Sequence, residues 1–183
     1  MIVLGVDPGT RYTGYGLVEE RGNTLRAISC GVIAAADEAQ IGDRLKKIHA
    51  ELTQLIETHR PDAVALERAF YSKSISSAFR IGEARAIAIL CAAQAGVPLA
   101  EYAPKEVKSA VVGAGGAQKL QVQSMVRILL NLRDAPEPLD ASDALAIAIC
   151  HCQRAAGREF KESVRRHVRR GRGRTPPLGG FHP

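Results

Sequence analysis

IVLGVDPGTRYTGYGLVEE, residues 2–20, sets a short apolar run against a carboxylate, Asp7, and then a turn, Pro8-Gly9. A Pro-Gly pair stops a strand without help, so the aspartate needs its own reason. One reason is local: Asp accepts hydrogen bonds from backbone N–H groups two residues on and caps a tight turn. The other is chemical, a carboxylate presented at the end of a buried strand. Which holds depends on what the rest of the chain brings beside it.

Residues 2–7 read as that strand. Residues 14–19 and 24–33 read as two more, joined at Arg21-Gly22-Asn23, which suggests an antiparallel meander. Ile41, Leu45, Ile48, Leu52, Leu55 and Ile56 recur at helical spacing, predicting an amphipathic helix over 40–59 that stops at His59-Arg60-Pro61. DAVALE, 62–67, is a short apolar run after a helix, as in a strand reached by a crossover and parallel to the first. It also ends in a carboxylate, Glu67. An Ala-rich helix over 74–95, bounded by Gly96 and Pro98, leads to a last strand at 97–102. A short helix at 104–112, a Gly-rich loop at 113–116, and helices at 118–132 and 140–156 follow. The pattern is α/β, with a mixed sheet that is antiparallel on one side and parallel on the other.

The chain has 183 residues, 46% of them hydrophobic, enough for one domain with a real core and too apolar for disorder. No apolar run approaches the ~18 residues of a membrane span, and no signal peptide is visible. A cytoplasmic protein with no membrane partner is expected. Of the four cysteines, Cys30, Cys91, Cys150 and Cys152, three sit in strongly apolar stretches. Cys150-His151-Cys152 lacks a second ligand pair at zinc-finger spacing, so core thiols are expected rather than a metal site. The net charge is +6, and its location matters more than its size: residues 154–183 carry eight Arg and one Lys against two Glu. Residues 1–156 read as the domain and 157–183 as a basic, flexible tail. Phe160, Val164 and Val168 could line one face of a short helix in it. Such a tail is either a handle for phosphate polymers or anionic lipid, or a solubilising end.

Parallel neighbours end on the same sheet edge, where α/β folds bind ligands, so Asp7 and Glu67 would face each other there. In LDASDALAIA, 139–148, Asp140 and Asp143 stand three apart and share a helix face. Alone, they are an N-cap and a favourable charge in the first turn. With Asp7 and Glu67 they would form a four-carboxylate cluster, whose repulsion all-oxygen-ligated Mg²⁺ or Mn²⁺ relieves. Two such ions, ~3.5–4 Å apart, are suited to phosphodiester hydrolysis.

DPGTRYTGYG, ALERAFYSKS, VKSAVVGAGGAQKLQV and LDASDALAIAICHC, in this order and spacing, resemble the RuvC family of bacterial Holliday-junction resolvases over residues 1 to about 153. The resemblance implies a ribonuclease-H-like fold, with a five-stranded mixed sheet flanked by helices. It implies a homodimeric, metal-dependent endodeoxyribonuclease of recombination, repair and the SOS response. Such an enzyme makes paired symmetric nicks in a four-way DNA junction and leaves 5′-phosphate and 3′-hydroxyl ends. It also implies a partner, branch-migration machinery of the RuvAB type. The family's metal-binding and catalytic carboxylates fall on Asp7, Glu67, Asp140 and Asp143. Some members carry His where this chain has Asp140. Lys108 and Lys119 match lysines near the scissile phosphate, though alone each reads as a surface Lys. Phe70 matches an aromatic that stacks on junction bases, though alone it reads as a core Phe. Arg68, Lys73, Arg11 and Tyr12 are further DNA-contact candidates.

Asp7-Pro8-Gly9-Thr10 also resembles the first phosphate loop of the actin-like kinases, but no second lobe or second phosphate loop is present. A ribonuclease-H-like nuclease acting on RNA would carry a similar acidic cluster. So would a junction-binding protein that never cuts, with the carboxylates in a structural role.

Overall fold

The computed structural model describes residues 1–22, 24–68 and 75–171, with side chains for all of these except 75–77 and 156–171. Five strands, β1 (Ile2–Asp7), β2 (Tyr12–Arg21), β3 (Thr24–Ala34), β4 (Ala63–Glu67) and β5 (Leu99–Tyr102), form one sheet in the order β3-β2-β1-β4-β5. β1, β2 and β3 pair antiparallel, whereas β1–β4 and β4–β5 are parallel. This is the mixed sheet of the ribonuclease-H-like fold. The helices are α1 (Ile41–His59), α2 (Ile75–Gln94), α3 (Pro104–Val112), α4 (Lys119–Leu129) and α5 (Leu139–Gly171).

Strand alternation sorts the core onto two faces. Leu4, Val6, Leu17, Val64 and Leu66 pack with Ile48, Leu52 and Ile56 of α1 and with Ala84, Ala88 and Cys91 of α2. Val3, Val18 and Ala65 pack on the other face with Val107, Val122, Val126 and the apolar run Leu145–Cys150. α1 ends where Arg60 adopts a left-handed conformation, φ 45°, and its N–H reaches the Ile56 carbonyl. Pro61 follows and cannot extend the helix.

None of the four cysteines is in a disulfide; Cys91, Cys150 and Cys152 are buried, and burial pushes the Cys152 thiol up to about 12. His151 is also buried, and its Nδ1 lies 2.9 Å from the Tyr102 hydroxyl. It is engaged in the core, and so are the cysteines on either side of it.

One element differs from expectation. α5 does not stop near residue 156; its backbone stays helical to Gly171. Gly157 costs a helix about 1 kcal/mol, which argues for a stop. The surrounding Ala, Arg, Glu and Lys are strong helix formers and outweigh it. The chain divides into a compact unit, Met1–Cys152, and the remainder from Gln153.

Candidate active site

β1 and β4 run side by side with Val6 opposite Leu66, so Asp7 and Glu67 end adjacent parallel strands. By alternation Asp7 shares the face of Val3, and Glu67 that of Ala65. Both are therefore on the face covered by α3, α4 and α5.

Three glycines seat α5 on that face. A Cβ on Gly5 would run into the Ala144 carbonyl oxygen, and one on Gly14 into the Asp140 carbonyl oxygen. One on Gly16 would stand 2.7 Å from the Leu145 amide nitrogen. The helix backbone thus rests directly on β1 and β2. Gly14 is also the residue opposite Asp7 in the β1–β2 pair. The first two turns of α5, with Asp140 and Asp143, are held against the ends of β1 and β2 by backbone contact.

Asp7, Glu67, Lys108, Lys119 and Asp143 line one cleft of about 260 Å³, walled by α3, α4 and α5. Asp140 stands just outside its lining, though its charge still reaches Asp7. Lys119 projects from the start of α4 and donates from Nζ to Asp143 Oδ2 at 2.8 Å. Lys108 comes from α3, where Pro104 opens the helix and Glu106 Oε2 accepts from the Ala103 N–H at 2.9 Å. A larger cavity, about 510 Å³, opens between α1 and α2 on the opposite face. It holds none of these residues.

The electrostatics are those of crowded anions. Burial, then Asp143, Glu67 and Asp140, raise the Asp7 carboxyl to about 7, with Lys119 opposing. Burial and then Asp143 also raise Glu67, against Lys119 and Lys108. The hydrogen bond to Asp143 holds Lys119 above its ordinary value. Among the described residues, no three His, Cys, Asp or Glu side chains are drawn together as a ready ligand set. The carboxylates raise one another's proton affinity, and a cation among them would relieve that repulsion. The donors are all carboxylate oxygens, the set that suits Mg²⁺ or Mn²⁺ rather than a soft metal.

The turn after Asp7 is held by another residue. Thr13 Oγ1 donates to the Gly9 carbonyl at 2.7 Å, and Thr13 is fully buried. Asp7 makes no side-chain hydrogen bond among the described residues. Its carboxylate is therefore free of the capping role.

Arg11 and Tyr12 are exposed beside this turn, Tyr12 by 49%. Arg68 is exposed one residue past Glu67, and its N–H donates to the Tyr102 carbonyl at 2.7 Å. Phe70 and Lys73 lie outside the described residues. Sequence reasoning missed Gly5, Gly14 and Gly16 as the seat of α5, Thr13 as the turn's anchor, and the Tyr102–His151 bond. Alternate glycines within strands were the available signal, since an interior strand Gly marks close approach of another backbone.

Comparison with known proteins agrees in extent with this unit. The family model "Crossover junction endodeoxyribonuclease RuvC" matches residues 3–151. A protein of that name from Syntrophotalea carbinolica is 51% identical over 151 residues, covering 82% of this chain and 93% of the relative. One from Pseudothermotoga lettingae is 46% identical over 152 residues, covering 83% and 94%. A structure of Thermus thermophilus RuvC in complex with Holliday junction substrate superposes with a TM-score of 0.79 at 34% identity, covering 85% of this chain and 96% of that one. Fold, cleft and these likenesses together place the chain in the RuvC family of crossover junction endodeoxyribonucleases.

Proposed function

We propose that this chain resolves four-way (Holliday) DNA junctions by paired, symmetric, metal-dependent phosphodiester hydrolysis. The observation that carries the proposal is the cleft itself: Asp7, Glu67 and Asp143 open onto one space beside Lys108 and Lys119. The Thermus thermophilus relative seen with a Holliday junction supports the choice of substrate.

Asp7, Glu67, Asp140 and Asp143 would hold divalent metal. A bound pair of Mg²⁺ or Mn²⁺ ions supplies an activated water and stabilises the leaving oxygen. Asp7, whose carboxyl feels Asp143, Glu67 and Asp140, would be the central metal-holding residue. Glu67, which opens onto the same cleft, would also help to orient the attacking water. Lys108 and Lys119 contact the scissile phosphate and stabilise the charge that develops on it. The products carry 5′-phosphate and 3′-hydroxyl ends. Arg11, Tyr12, Arg68 and Lys73 take the flanking DNA backbone, and Phe70 stacks on a junction base.

A homodimer fits a substrate with two-fold symmetry. α2 supports it, since Phe79 is 70% exposed and Leu90 45% exposed on a helix whose other side is core. The cell's branch-migration machinery is the expected partner, with a place in recombination, repair and the SOS response, in the cytoplasm. No described helix is long and apolar enough to cross a membrane.

Cutting of a synthetic mobile junction tests the proposal, wild type against Asp7→Asn, with Mg²⁺, Mn²⁺ or EDTA. Paired nicks should need metal and Asp7, while junction binding survives the substitution. A wild type that binds junctions and never cuts with any metal leaves a binding protein instead.

A further inference from the structure

The family match ends at residue 151, but the helix that carries Asp140 and Asp143 continues to Gly171. In that continuation Arg154, Arg158, Lys161, Arg165 and Arg169 recur at intervals of four, three, four and four. At 3.6 residues per turn these five positions fall within an arc of about 80° and extend over about 22 Å of helix. Arg166 and Arg170, on the same segment, fall outside the arc. So do both acidic residues, Glu159 and Glu162.

We propose that residues 154–169 of α5 form a second, sequence-independent DNA contact, a cationic stripe that takes the phosphates of a duplex arm. Like charges three and four apart oppose a helix; Glu162, four past Arg158 and three before Arg165, offsets part of that cost, and a polyanion removes more of it. Duplex DNA offers about one charge per 1.7 Å of axis, dense enough to meet all five positions. An anionic membrane is the competing occupant of a basic helix. Here only Phe160, Val164 and Val168 supply an apolar stripe, little for a helix that must bury one face in lipid. The choice of DNA as the polyanion rests on the function proposed above.

The test compares two double variants of the full chain with the same change in net charge. Arg165→Gln with Arg169→Gln lies on the stripe; Arg166→Gln with Arg170→Gln lies off it. Affinity for a linear duplex is read in EDTA across a salt series, so that no cutting intervenes. Helicity is matched by circular dichroism. Counterion release is about 0.9 per phosphate contact, so the on-stripe pair should flatten the log–log salt slope by about 1.8. It should also weaken binding roughly tenfold at low salt. The off-stripe pair should keep the wild-type slope. Equal effects from the two pairs would replace the stripe with a diffuse charged tail. No effect from either, or an on-stripe effect seen only on phosphatidylserine vesicles, would overturn the proposal. Junction cutting is scored separately: its failure would remove the resolvase function and leave duplex binding by the stripe standing.

Discussion

Gly14 lies directly beneath the backbone carbonyl of Asp140, with no room between them for a methyl group. The spacing between the sheet edge and the first turn of α5 is therefore fixed by main-chain contact. Gly14→Ala should push the helix away, cost about 1–3 kcal/mol in urea unfolding, and weaken metal binding by more than that loss of stability accounts for. A variant that is destabilised yet keeps wild-type metal affinity would mean that α5 is not positioned this way.

Asp7→Asn should abolish cutting, by about 10³-fold or more, equivalent to about 4 kcal/mol of transition-state stabilisation. Single-turnover assays against mobility-shift titrations separate this from binding, which should be unchanged. Residual cutting within tenfold of wild type would return Asp7 to a structural role.

The acid side of the pH profile follows from the same carboxylate. Asp7 is raised from 3.8 to about 7, so the folded metal-free protein binds a proton that the unfolded chain has released. The associated stability is complete below about 4 and is lost as pH rises through about 7. The melting temperature without metal should fall between pH 5 and pH 8, and Asp7→Asn should flatten the fall. Metal must displace that proton, so apparent Mg²⁺ affinity should drop up to tenfold per pH unit below about 7. A pH-independent melting temperature in EDTA would contradict the buried, crowded state of Asp7.

Lys119 donates to Asp143 and lowers the charge burden on Asp7 and Glu67. Lys119→Gln should reduce the cutting rate about 10²-fold, in the range of a lost charge-stabilising donor. It should also move the acid limb upward, because two raised carboxylates lose a neighbouring cation. Unchanged cutting would leave Lys119 as a surface ion pair, worth less than about 1 kcal/mol.

Phe79→Asp with Leu90→Glu places charge on the exposed side of α2. Sedimentation should show a monomer, and a junction held in a supercoiled plasmid should yield unpaired nicks in place of linear product. A dimer that persists would put the interface elsewhere.

Much of this was legible from the sequence for physical reasons. Period-two and period-3.6 patterns reported the strands and α1. Two carboxylates closing two apolar runs reported the sheet edge, because parallel strands end together. The seat of α5 was less legible, since Gly5, Gly14 and Gly16 each read as a weak strand residue until a helix is laid across them. Thr13 was hidden because its bond to Gly9 follows from the turn's shape and not from spacing. The length of α5 was legible only in part: the apolar periodicity ends near 156 and only Phe160, Val164 and Val168 hint at helix beyond it, while the helix propensity of the charged residues carries the backbone on.

The bond from Thr13 to Gly9 has a consequence at the scale of the cell. By holding the turn itself, it relieves Asp7 of any duty to the fold, so chemistry can be lost there without losing the protein. An allele altered only at Asp7 should accumulate to normal levels, occupy junctions and shield them from every other enzyme. Beside an intact copy of the gene it should be more harmful than a deletion: a poison rather than a blank.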